Sequence, residues 1–586
     1  MKNGKVIIIA LLVGISTIAM LCTKIEYSTA TLNRFKSYEE LEEFLQRERI
    51  YPHYPYLPFA RSFRLQALNA MESLDYSKTN IQVEGVDEAD IAKTDGEYIY
   101  VISGQKVIIV RAYPAEEAAV LSKITVNGTL KQLFIHADRL VVFYENSLSN
   151  EAKTCINTYD VSDRANPSLK NEVAVEGQYF SSRMIGDYVY VVVRKTALLI
   201  EGEVSLPKIY SEDGCRIIPA TDIYYSNITD NGYIFTTIVT VNIFEDTQKP
   251  KEETILSGWT TSIYVSLENI YLAIGDYDRT VLHRIHIENG EISATANGEV
   301  SGYVLNQFSM DEYEGYFRIA TTSQMTSFPE PSPILHLQNN IYVLNMDLEI
   351  VGKLEDIAPR EKIHSARFMG DTCYLVTFRK VDPLFVINLS NPYSPEIIGE
   401  LEITGYSDYL HPYDENHVIG VGKETIAAEE GAFSWYQGVE ISLFDVTDMT
   451  NPEELAKYEI GNRGTDSPVL TDHKAFLFDR EKNLLVLPVL VAKVNESRYP
   501  NGVPPYTCGE YAWQGAYVFK ISLELEEKII LRGIITHIEN GNVYNASNYI
   551  TRALYIGEVL YTISDSKIKM NSLLDLTEIK ELDLNK

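Results

Sequence analysis

Short runs of alternating or uniformly apolar residues fill the chain from about Ile81 to its end, and no long stretch has the period of an amphipathic helix. Many of these runs come in pairs that flank a tight turn of Gly, Asp or Asn, which predicts β-hairpins. Nine such hairpins begin at Ala89, Gln132, Ser181, Ser262, Gln307, Ser365, Tyr409, Pro468 and Thr551. The pattern therefore predicts an all-β chain built from repeated units.

A second recurring pattern predicts the outer strands of these units. Its three clearest copies begin at Ile156, Phe385 and Ser442, and each combines an apolar strand, an Asp/Asn and Pro turn, and a last strand that ends in Gly. Asx turns and proline fix such turns, and glycine allows a positive φ at the strand end. Four strands per unit predict a single large β-propeller over residues 79–586, because a closed ring of sheets buries faces that one sheet leaves exposed.

The hairpins give nine four-stranded blades by count. Eight blades are possible if the irregular third unit, Tyr188 to Gly258, absorbs a neighbour or if the two termini share a blade. A string of β-sandwich domains is the competing interpretation. It would need a linker about every 100 residues, and no Pro/Gly/Ser-rich break occurs.

Residues 31–78 predict a short amphipathic helix followed by a Tyr/Pro-rich connector. Ser37 and Glu40 have the spacing of a capping box, and apolar residues follow at helical spacing, which predicts a helix over Ser37–Arg49. The connector is unsuited to a helix or a central strand. A second short helix is expected near Phe63–Ser73.

Residues 1–30 predict a signal peptide or an N-terminal membrane anchor. Lys2 and Lys5 precede an apolar run from Val6 to Cys22, and small residues at Ser28 and Ala30 suit a cleavage site. The run is close to the shortest length that spans a bilayer, about 17 residues, so cleavage and retention both stay open. The protein is expected to be secreted or extracytoplasmic, with residues 6–22 as its one membrane-anchoring segment.

The charge balance argues against nucleic acid as a partner. The 586 residues include 82 acidic and 51 basic side chains, a net charge of −31. Phosphate binding needs clustered Lys and Arg, and an anionic lipid surface would also repel this chain. Membrane contact is therefore expected through the N-terminal segment alone.

Cysteine and histidine positions give no metal or cofactor site. Cys155, Cys215, Cys373 and Cys508 are scattered singly, so three disulfide pairings are open, although the apolar run around Cys373 favours a buried free thiol. His136, His411 and His473 recur near the first turn of their units and are expected to be solvated.

Known catalytic and metal-binding motifs are also missing from the sequence. The run Asp87-Glu88-Ala89-Asp90 lacks the spacing of a calcium loop, and no H-E-x-x-H, G-x-S-x-G or P-loop motif occurs. No cofactor and no catalytic residue is predicted.

The segment from Thr79 to Val110 resembles the opening of a family of exported prokaryotic proteins, common in archaea. The resemblance rests on Gln82-Val83-x-Gly85-Val86-Asp87-Glu88-Ala89-Asp90 and on Lys93-Thr94-Asp95-Gly96. Members of that family carry a C-terminal β-propeller distantly related to WD repeats. The resemblance therefore implies the fold and export, and it implies no catalytic residues.

Three predicted innermost strands share an arginine, namely Arg183, Arg367 and Arg552, which we call the hub arginines. They belong to the third, sixth and ninth units, about a third of a turn apart, and Asp87, Glu88 and Asp90 stand at the entrance to the first unit. In one interpretation these charges pair with one another or with channel carbonyls and waters. In the other the arginines hold an anionic ligand at the channel mouth.

The remaining candidate is an aromatic insertion with Tyr499, Tyr506, Tyr511 and Trp513, which either packs on the propeller or forms a sugar- or protein-binding rim. Long loops on one propeller face are where binding usually resides. The sequence therefore favours an extracytoplasmic binding module for a protein, glycan or cell-envelope component. A hydrolase or lyase with a channel-mouth site, and a structural envelope protein, are the alternatives.

Overall fold

The structure is a computed structural model, and it describes residues 32–47, 75–146, 152–200, 202–226, 233–275, 278–327, 334–378, 382–428 and 433–585. The predicted leader, most of the connector and the helix expected near Phe63–Ser73 lie outside these residues. No helix in the described ranges is long and apolar enough to cross a bilayer.

The described residues form nine consecutive sheets of four or more strands, numbered here in chain order. The seven plain sheets are meanders of four antiparallel strands. Sheet 1 consists of Ala92–Thr94, Tyr98–Ser103, Lys106–Arg111 and Ala119–Thr125. Sheet 4 consists of Thr260–Val265, Asn269–Gly275, Arg279–Glu288 and Glu291–Ser301. Sheet 5 consists of Met310–Tyr313, Tyr316–Ser327, Ile334–Leu344 and Ile350–Ile357.

The other four plain sheets complete the second half of the chain. Sheet 6 consists of Lys362–Met369, Thr372–Phe378, Asp382–Asn388 and Glu396–Ile403. Sheet 7 consists of Tyr406–Asp414, His417–Ala427, Ser434–Asp445 and Glu453–Ile460. Sheet 8 consists of Leu477–Asp479, Leu484–Lys493, Glu510–Ile521 and Ile529–Ile535. Sheet 9 consists of Arg552–Ile556, Val559–Ile563, Lys567–Ser572 and Glu578–Asp583.

Sheets 2 and 3 are enlarged by strands from elsewhere in the chain. The four main strands of sheet 2 are Thr129–His136, Arg139–Asn146, Lys153–Asp160 and Ser168–Glu176, and the hairpin Lys208–Ser211 and Gly214–Ile217 extends its outer edge. The four main strands of sheet 3 are Gln178–Ile185, Tyr188–Thr196, Ile234–Asn242 and Lys251–Ser257, and it gains Ile223–Ser226, Leu32–Arg34 and Asp87–Glu88. The irregular third unit of the sequence thus supplies strands to both sheets.

The remaining short elements lie between or beside the sheets. Leu199–Ile200 and Glu203–Val204 form a separate two-stranded ribbon. Single turns of 3₁₀ helix occur at Ala115–Glu117, Ala220–Asp222, Gln307–Ser309, Pro468–Leu470, His473–Ala475, Glu496–Arg498 and Ala546–Asn548.

Each pair of neighbouring sheets encloses its own apolar core, and these cores close the ring. The buried side chains form nine clusters, one between each successive pair of sheets and one between sheets 9 and 1. At the closure the Tyr561 hydroxyl donates to the Ala112 carbonyl at 2.7 Å, and Ser103 Oγ donates to the Asp565 carbonyl at 2.6 Å. The predicted all-β propeller is therefore confirmed.

The predicted N-terminal helix is confirmed and packs on the enlarged part of the ring. Helix α1 covers Tyr38–Arg47, and the Glu40 N–H donates to Ser37 Oγ at 3.3 Å, as a capping residue requires. Leu41 and Leu45 lie on one face of the helix and are buried in the core between sheets 2 and 3. An apolar stripe of this kind stabilises a short helix mainly through tertiary packing.

Strand order gives the ring two different faces. Because successive strands are antiparallel, the connections between first and second strands, and between third and fourth strands, lie on one face, which we call the short-turn face. The connections between second and third strands, and those to the next sheet, lie on the other, which we call the loop face. Among the described residues, three long connections, residues 461–476, 494–509 and 536–551, lie on the loop face.

Candidate functional site in the channel

One segment, residues 75–91, runs through the channel from sheet 9 to sheet 2, and we call it the channel segment. It begins with a β-bridge between Tyr76 and Ile556 of sheet 9. It ends with a β-bridge between Asp90 and Leu133 of sheet 2, just before the chain enters sheet 1. The motif that carries the family resemblance therefore lies inside the ring.

The middle of the channel segment is held by side-chain amides. Asn80 Nδ2 donates to the Tyr409 hydroxyl at 3.1 Å and to the His473 carbonyl at 3.3 Å. Gln82 Nε2 donates to the carbonyls of Gln307 and Met310, each at 3.1 Å. These contacts join the segment to sheets 5 and 7 and to the loop that enters sheet 8.

Glu88 of the channel segment pairs with the first hub arginine. Asp87–Glu88 forms a short antiparallel strand beside the first strand of sheet 3, which places Glu88 opposite Arg183. Arg183 Nη2 lies 2.8 Å from Glu88 Oε1, and both side chains are buried. Gln307 Oε1 accepts a further hydrogen bond from Arg183 Nη2 at 2.9 Å. This buried pair fastens the channel segment to sheet 3.

Asp90 pairs with Arg552, the hub arginine of sheet 9. Arg552 donates to Asp90 through Nε and Nη2 at 2.8 to 3.1 Å, and to Asp472 Oδ2 at 2.6 Å. Burial by itself would raise the pKa of Asp90, but the charges of Arg552 and Lys474 outweigh it and hold that pKa below its ordinary value. Asp90 therefore stays ionised and locks the channel segment to sheets 8 and 9.

Asp87 is held by a lysine of sheet 1 instead of an arginine. Lys93 Nζ donates to both carboxylate oxygens of Asp87, at 2.7 and 2.8 Å. The Lys93 side chain is buried and lies over the Phe134 ring, 5.4 Å from its centroid. The three predicted acidic residues thus each have a cationic partner.

Arg367, the hub arginine of sheet 6, has a different environment. Its side chain is buried, at 4% exposure, and its guanidinium carbon lies 5.0 Å from the centroid of the Phe308 ring. Neither Nε nor Nη1 has a hydrogen-bond acceptor among the residues that the structure describes. Burial lowers the pKa of Arg367 to about 10, so the side chain is still charged at neutral pH.

A cavity of about 480 Å³ lies between the channel segment and the surrounding sheets. It is open towards the short-turn face, since the turn residues His136 and Gly186 line its rim. Charged side chains in its wall include Asp87, Asp90, Lys93, Lys474 and Arg552. Most of this charge is neutralised within the wall by the ion pairs described above. The arrangement can position a small polar molecule, and the ion pairs also stabilise the ring.

The expectation that the turn histidines are solvated is wrong for two of the three. His411 and His473 are buried, because His411 packs against the Phe476 ring at 4.7 Å and His473 against the Phe308 ring at 5.8 Å. Burial, with the Arg367 charge in a lesser role, holds the pKa of His411 well below its ordinary value. His136 is about half exposed, as expected.

All four cysteines in the described residues are free. Cys155 and Cys373 are buried and Cys215 and Cys508 are exposed, which confirms the buried thiol expected at Cys373. In the described parts of the chain no group of three or more His, Cys, Asp or Glu side chains is placed to hold a metal ion.

The aromatic insertion divides between the two roles that its sequence allowed. Trp513 packs edge-on against Tyr517 of its own sheet, with ring centroids 5.4 Å apart. Tyr506 is 61% exposed and meets Trp435 of sheet 7, with ring centroids 5.9 Å apart. Phe433 also packs edge-on against Trp435, with ring centroids 5.0 Å apart. We call Phe433, Trp435 and Tyr506 the aromatic cluster.

Sequence reasoning missed several residues that complete these sites. Gln307 stood at the head of a recognised hairpin, and Asp472 in a recognised turn, but neither had a signal that pointed to an arginine elsewhere in the chain. Trp435 lies far along the chain from Tyr506, so its contact with the insertion depends on how sheets 7 and 8 pack.

Comparison with known proteins gives the same architecture. A family model described as a beta propeller domain matches residues 76–576. The chain belongs to this family. The matched region begins at Tyr76, which is where the channel segment enters the ring, so the family match covers the channel segment and nearly all of the nine sheets.

Two archaeal relatives cover most of the chain. A protein of Methanocaldococcus jannaschii, named as uncharacterized, is 29% identical and aligns with 84% of this chain and 81% of its own length. An Archaeoglobus fulgidus protein, also named as uncharacterized, is 27% identical and aligns with 95% of both chains. A solved structure from a study of two prolyl endopeptidases matches 75% of this chain and 55% of its own, at 10% identity and a TM-score of 0.33. A likeness at that score carries no argument about activity.

Proposed function

We propose that this beta propeller is an exported binding module whose loop face contacts a protein, glycan or other component of the cell surface or envelope. The aromatic cluster carries the proposal, because it places two exposed rings, Phe433 and Tyr506, beside the half-buried Trp435 on that face. Aromatic residues with an apolar body and a polar tip are enriched where proteins recognise partners.

The way the cluster is held supports a preformed binding surface. Gln437 Nε2 donates to the Pro505 carbonyl at 3.0 Å, which fixes the 494–509 loop of sheet 8 against sheet 7. The Arg463 guanidinium carbon lies 5.2 Å from the Trp435 ring centroid and its Nη1 donates to the Tyr436 carbonyl at 2.9 Å. Rings that are already positioned lose little conformational freedom when a partner binds.

The channel supports the binding role better than a catalytic one. Acid–base chemistry needs groups that are free to exchange protons. In the cavity wall the Asp90 carboxylate is engaged by Arg552, and Asp87 by Lys93. These side chains fit a structural role in a propeller that binds its partner on the loop face.

The proposal is tested by a binding screen of the full chain against glycan and peptide arrays. A variant that combines Trp435→Ala and Tyr506→Ala is expected to lose the bound ligands. The matched control is Tyr393→Ala, because Tyr393 is equally exposed, at 65%, but follows the third strand of sheet 6 on the short-turn face. Unchanged binding by the double variant, or equal loss in the control, would contradict the proposal.

Export is a separate part of the proposal and has its own test. The leader pattern of residues 1–30 and the resemblance of the Thr79–Val110 segment to an exported family support it. Fractionation of cells that express the full chain is expected to place the protein outside the cytoplasm. Recovery of a cytosolic protein with Met1–Ala30 intact would contradict export without affecting the binding proposal.

A further inference from the structure

The three hub arginines all lie on the first strand of their sheets, sheets 3, 6 and 9, but differ in their partners. The channel segment supplies Glu88 to Arg183 and Asp90 to Arg552. Among the described residues, no carboxylate lies within ion-pair distance of Arg367. The charge of Asp311 acts on Arg367, but the Asp311 carboxylate accepts a hydrogen bond from Arg318.

Phe308, Tyr409 and His411, which interact with Arg367, carry no charge at neutral pH. The Phe308 ring lies under the Arg367 guanidinium. The Tyr409 hydroxyl forms a hydrogen bond with Nδ1 of the His411 ring at 2.9 Å. Burial raises the pKa of Tyr409 and lowers that of His411, so neither supplies a negative charge at neutral pH. A buried charge without a counter-charge is costly, and proteins nearly always pair it.

Two further polar atoms near Arg367 have no partner among the described residues. Ser309, next to Phe308 in the chain, has a buried Oγ without a hydrogen-bond partner, and so has the Oδ1 of Asn80, which donates from its Nδ2 to Tyr409. Asn80 also lines the cavity that opens towards the short-turn face. Buried polar atoms without a partner are rare in folded proteins, and a polar ligand is one way to satisfy them.

We propose that Arg367 binds the carboxylate group of a ligand inside the channel, where it takes the place that Glu88 and Asp90 fill beside Arg183 and Arg552. The guanidinium N–H groups donate to the carboxylate. Ser309, whose 3₁₀ turn packs against the strand of Arg367, has a buried hydroxyl that can add a donor. Charge-assisted hydrogen bonds of this kind are shorter and stronger than neutral ones. The site is independent of the aromatic cluster on the loop face.

The carboxylate could belong to a small free acid or to the C-terminus of a peptide, and the test separates the two sources. Thermal unfolding of the full chain is measured with increasing sodium acetate, and with a tetrapeptide that has a free C-terminus, at constant ionic strength set with a bulky sulfonate. A ligand that binds the folded state raises Tm with its concentration. A rise with acetate assigns a small acid, and a rise with the free-acid tetrapeptide but not with its C-terminal amide assigns a peptide terminus.

Two variants connect that rise to Arg367. Arg367→Met is expected to lose the carboxylate-dependent rise in Tm completely. Arg183→Met removes a hub arginine that already has Glu88, so it is expected to lower the baseline Tm and keep the full rise. If wild type shows no rise with either carboxylate, or if Arg367→Met keeps it, the proposal is wrong.

A second measurement applies if Arg367→Met does not fold. Wild-type crystals soaked in sodium bromide are expected to show an anomalous peak within hydrogen-bond distance of the Arg367 guanidinium. Ordered water alone on its Nε and Nη1 atoms would overturn the proposal.

Discussion

The channel and the loop face use polar and aromatic groups in opposite ways. In the channel, residues 75–91 bring acids to Arg183 and Arg552, and both pairs are buried away from water. On the loop face, long connections carry Tyr506 and its neighbours into solvent. The channel is therefore built mainly to hold the ring together, while the loop face is free to contact something else.

This difference is clearest in the most recognisable motif of the chain, whose acids form internal ion pairs. Glu88 and Asp90 belong to that motif, and their role in the structure is to tie the channel segment to sheets that are distant in sequence. A closed ring needs contacts between its ends and across its axis, since each sheet otherwise touches only its neighbours. Among the described residues, Arg367 is the hub arginine without a carboxylate partner.

The largest effect is expected for Glu88→Ala. The change leaves the Arg183 guanidinium buried without its carboxylate, which typically costs about 3–5 kcal/mol. Chemical unfolding measures the loss. Glu510→Ala serves as the control because Glu510 pairs with Arg498 at the exposed surface, and it is expected to change little. A loss below about 1 kcal/mol for Glu88→Ala would remove the stabilising role assigned to the channel.

Gly96→Ala is expected to cost about 1–3 kcal/mol. Gly96 has a φ of +95°, and a Cβ there would lie 2.7 Å from the Tyr76 ring at the start of the channel segment. Gly104→Ala is the control for backbone strain without a steric clash, since Gly104 has a φ of +58° and open space around it. Equal losses in urea unfolding would mean that the Tyr76 contact contributes nothing.

Acid is expected to weaken the channel. The pKa of Asp90 is lowered in the folded state, so its contribution is present above the unfolded pKa of about 3.9 and is lost as pH falls through the folded value. Each unit of lowering corresponds to about 1.4 kcal/mol. Unfolding followed between neutral and acidic pH should show a shallower slope for Asp90→Asn than for wild type. Identical slopes would show that this pair does not govern acid stability.

The smallest effect is expected for Tyr506→Ala on the loop face. The exposed ring contributes mainly to a surface, so the free energy of unfolding should change by no more than about 0.5 kcal/mol. Denaturant unfolding of this variant gives the direct comparison with Glu88→Ala. A loss as large as that of the channel variant would mean that the aromatic cluster is a structural element of the ring.

The strands and the short helix followed from local pattern because each depends on neighbours along the chain. Alternation in segments such as Ser365–Thr377 predicts a hairpin whatever else surrounds it, and Ser37 caps its helix within one turn. The position of the hub arginines on innermost strands of the third, sixth and ninth units could also be predicted, since it depends only on counting repeats.

The partners of those arginines could not be predicted in the same way. Nothing in the sequence distinguishes Arg367 from Arg183, yet one lies over Phe308 without a carboxylate and the other pairs with Glu88. His411 and His473 were expected in solvent and are buried, because the channel fills with aromatic rings from three sheets.

The sequence alone therefore determined that this chain folds into repeated four-stranded sheets, since period and turn chemistry are local properties. It did not fix where every sheet begins, because the hairpin predicted from Pro468 is two 3₁₀ turns and sheet 8 starts at Leu477. Only the tertiary structure decided which charges meet, because residues 75–91 approach Arg183 and Arg552 through closure of the whole ring. Contacts between groups far apart in the sequence depend on tertiary packing, and no periodic pattern in the sequence reveals that packing.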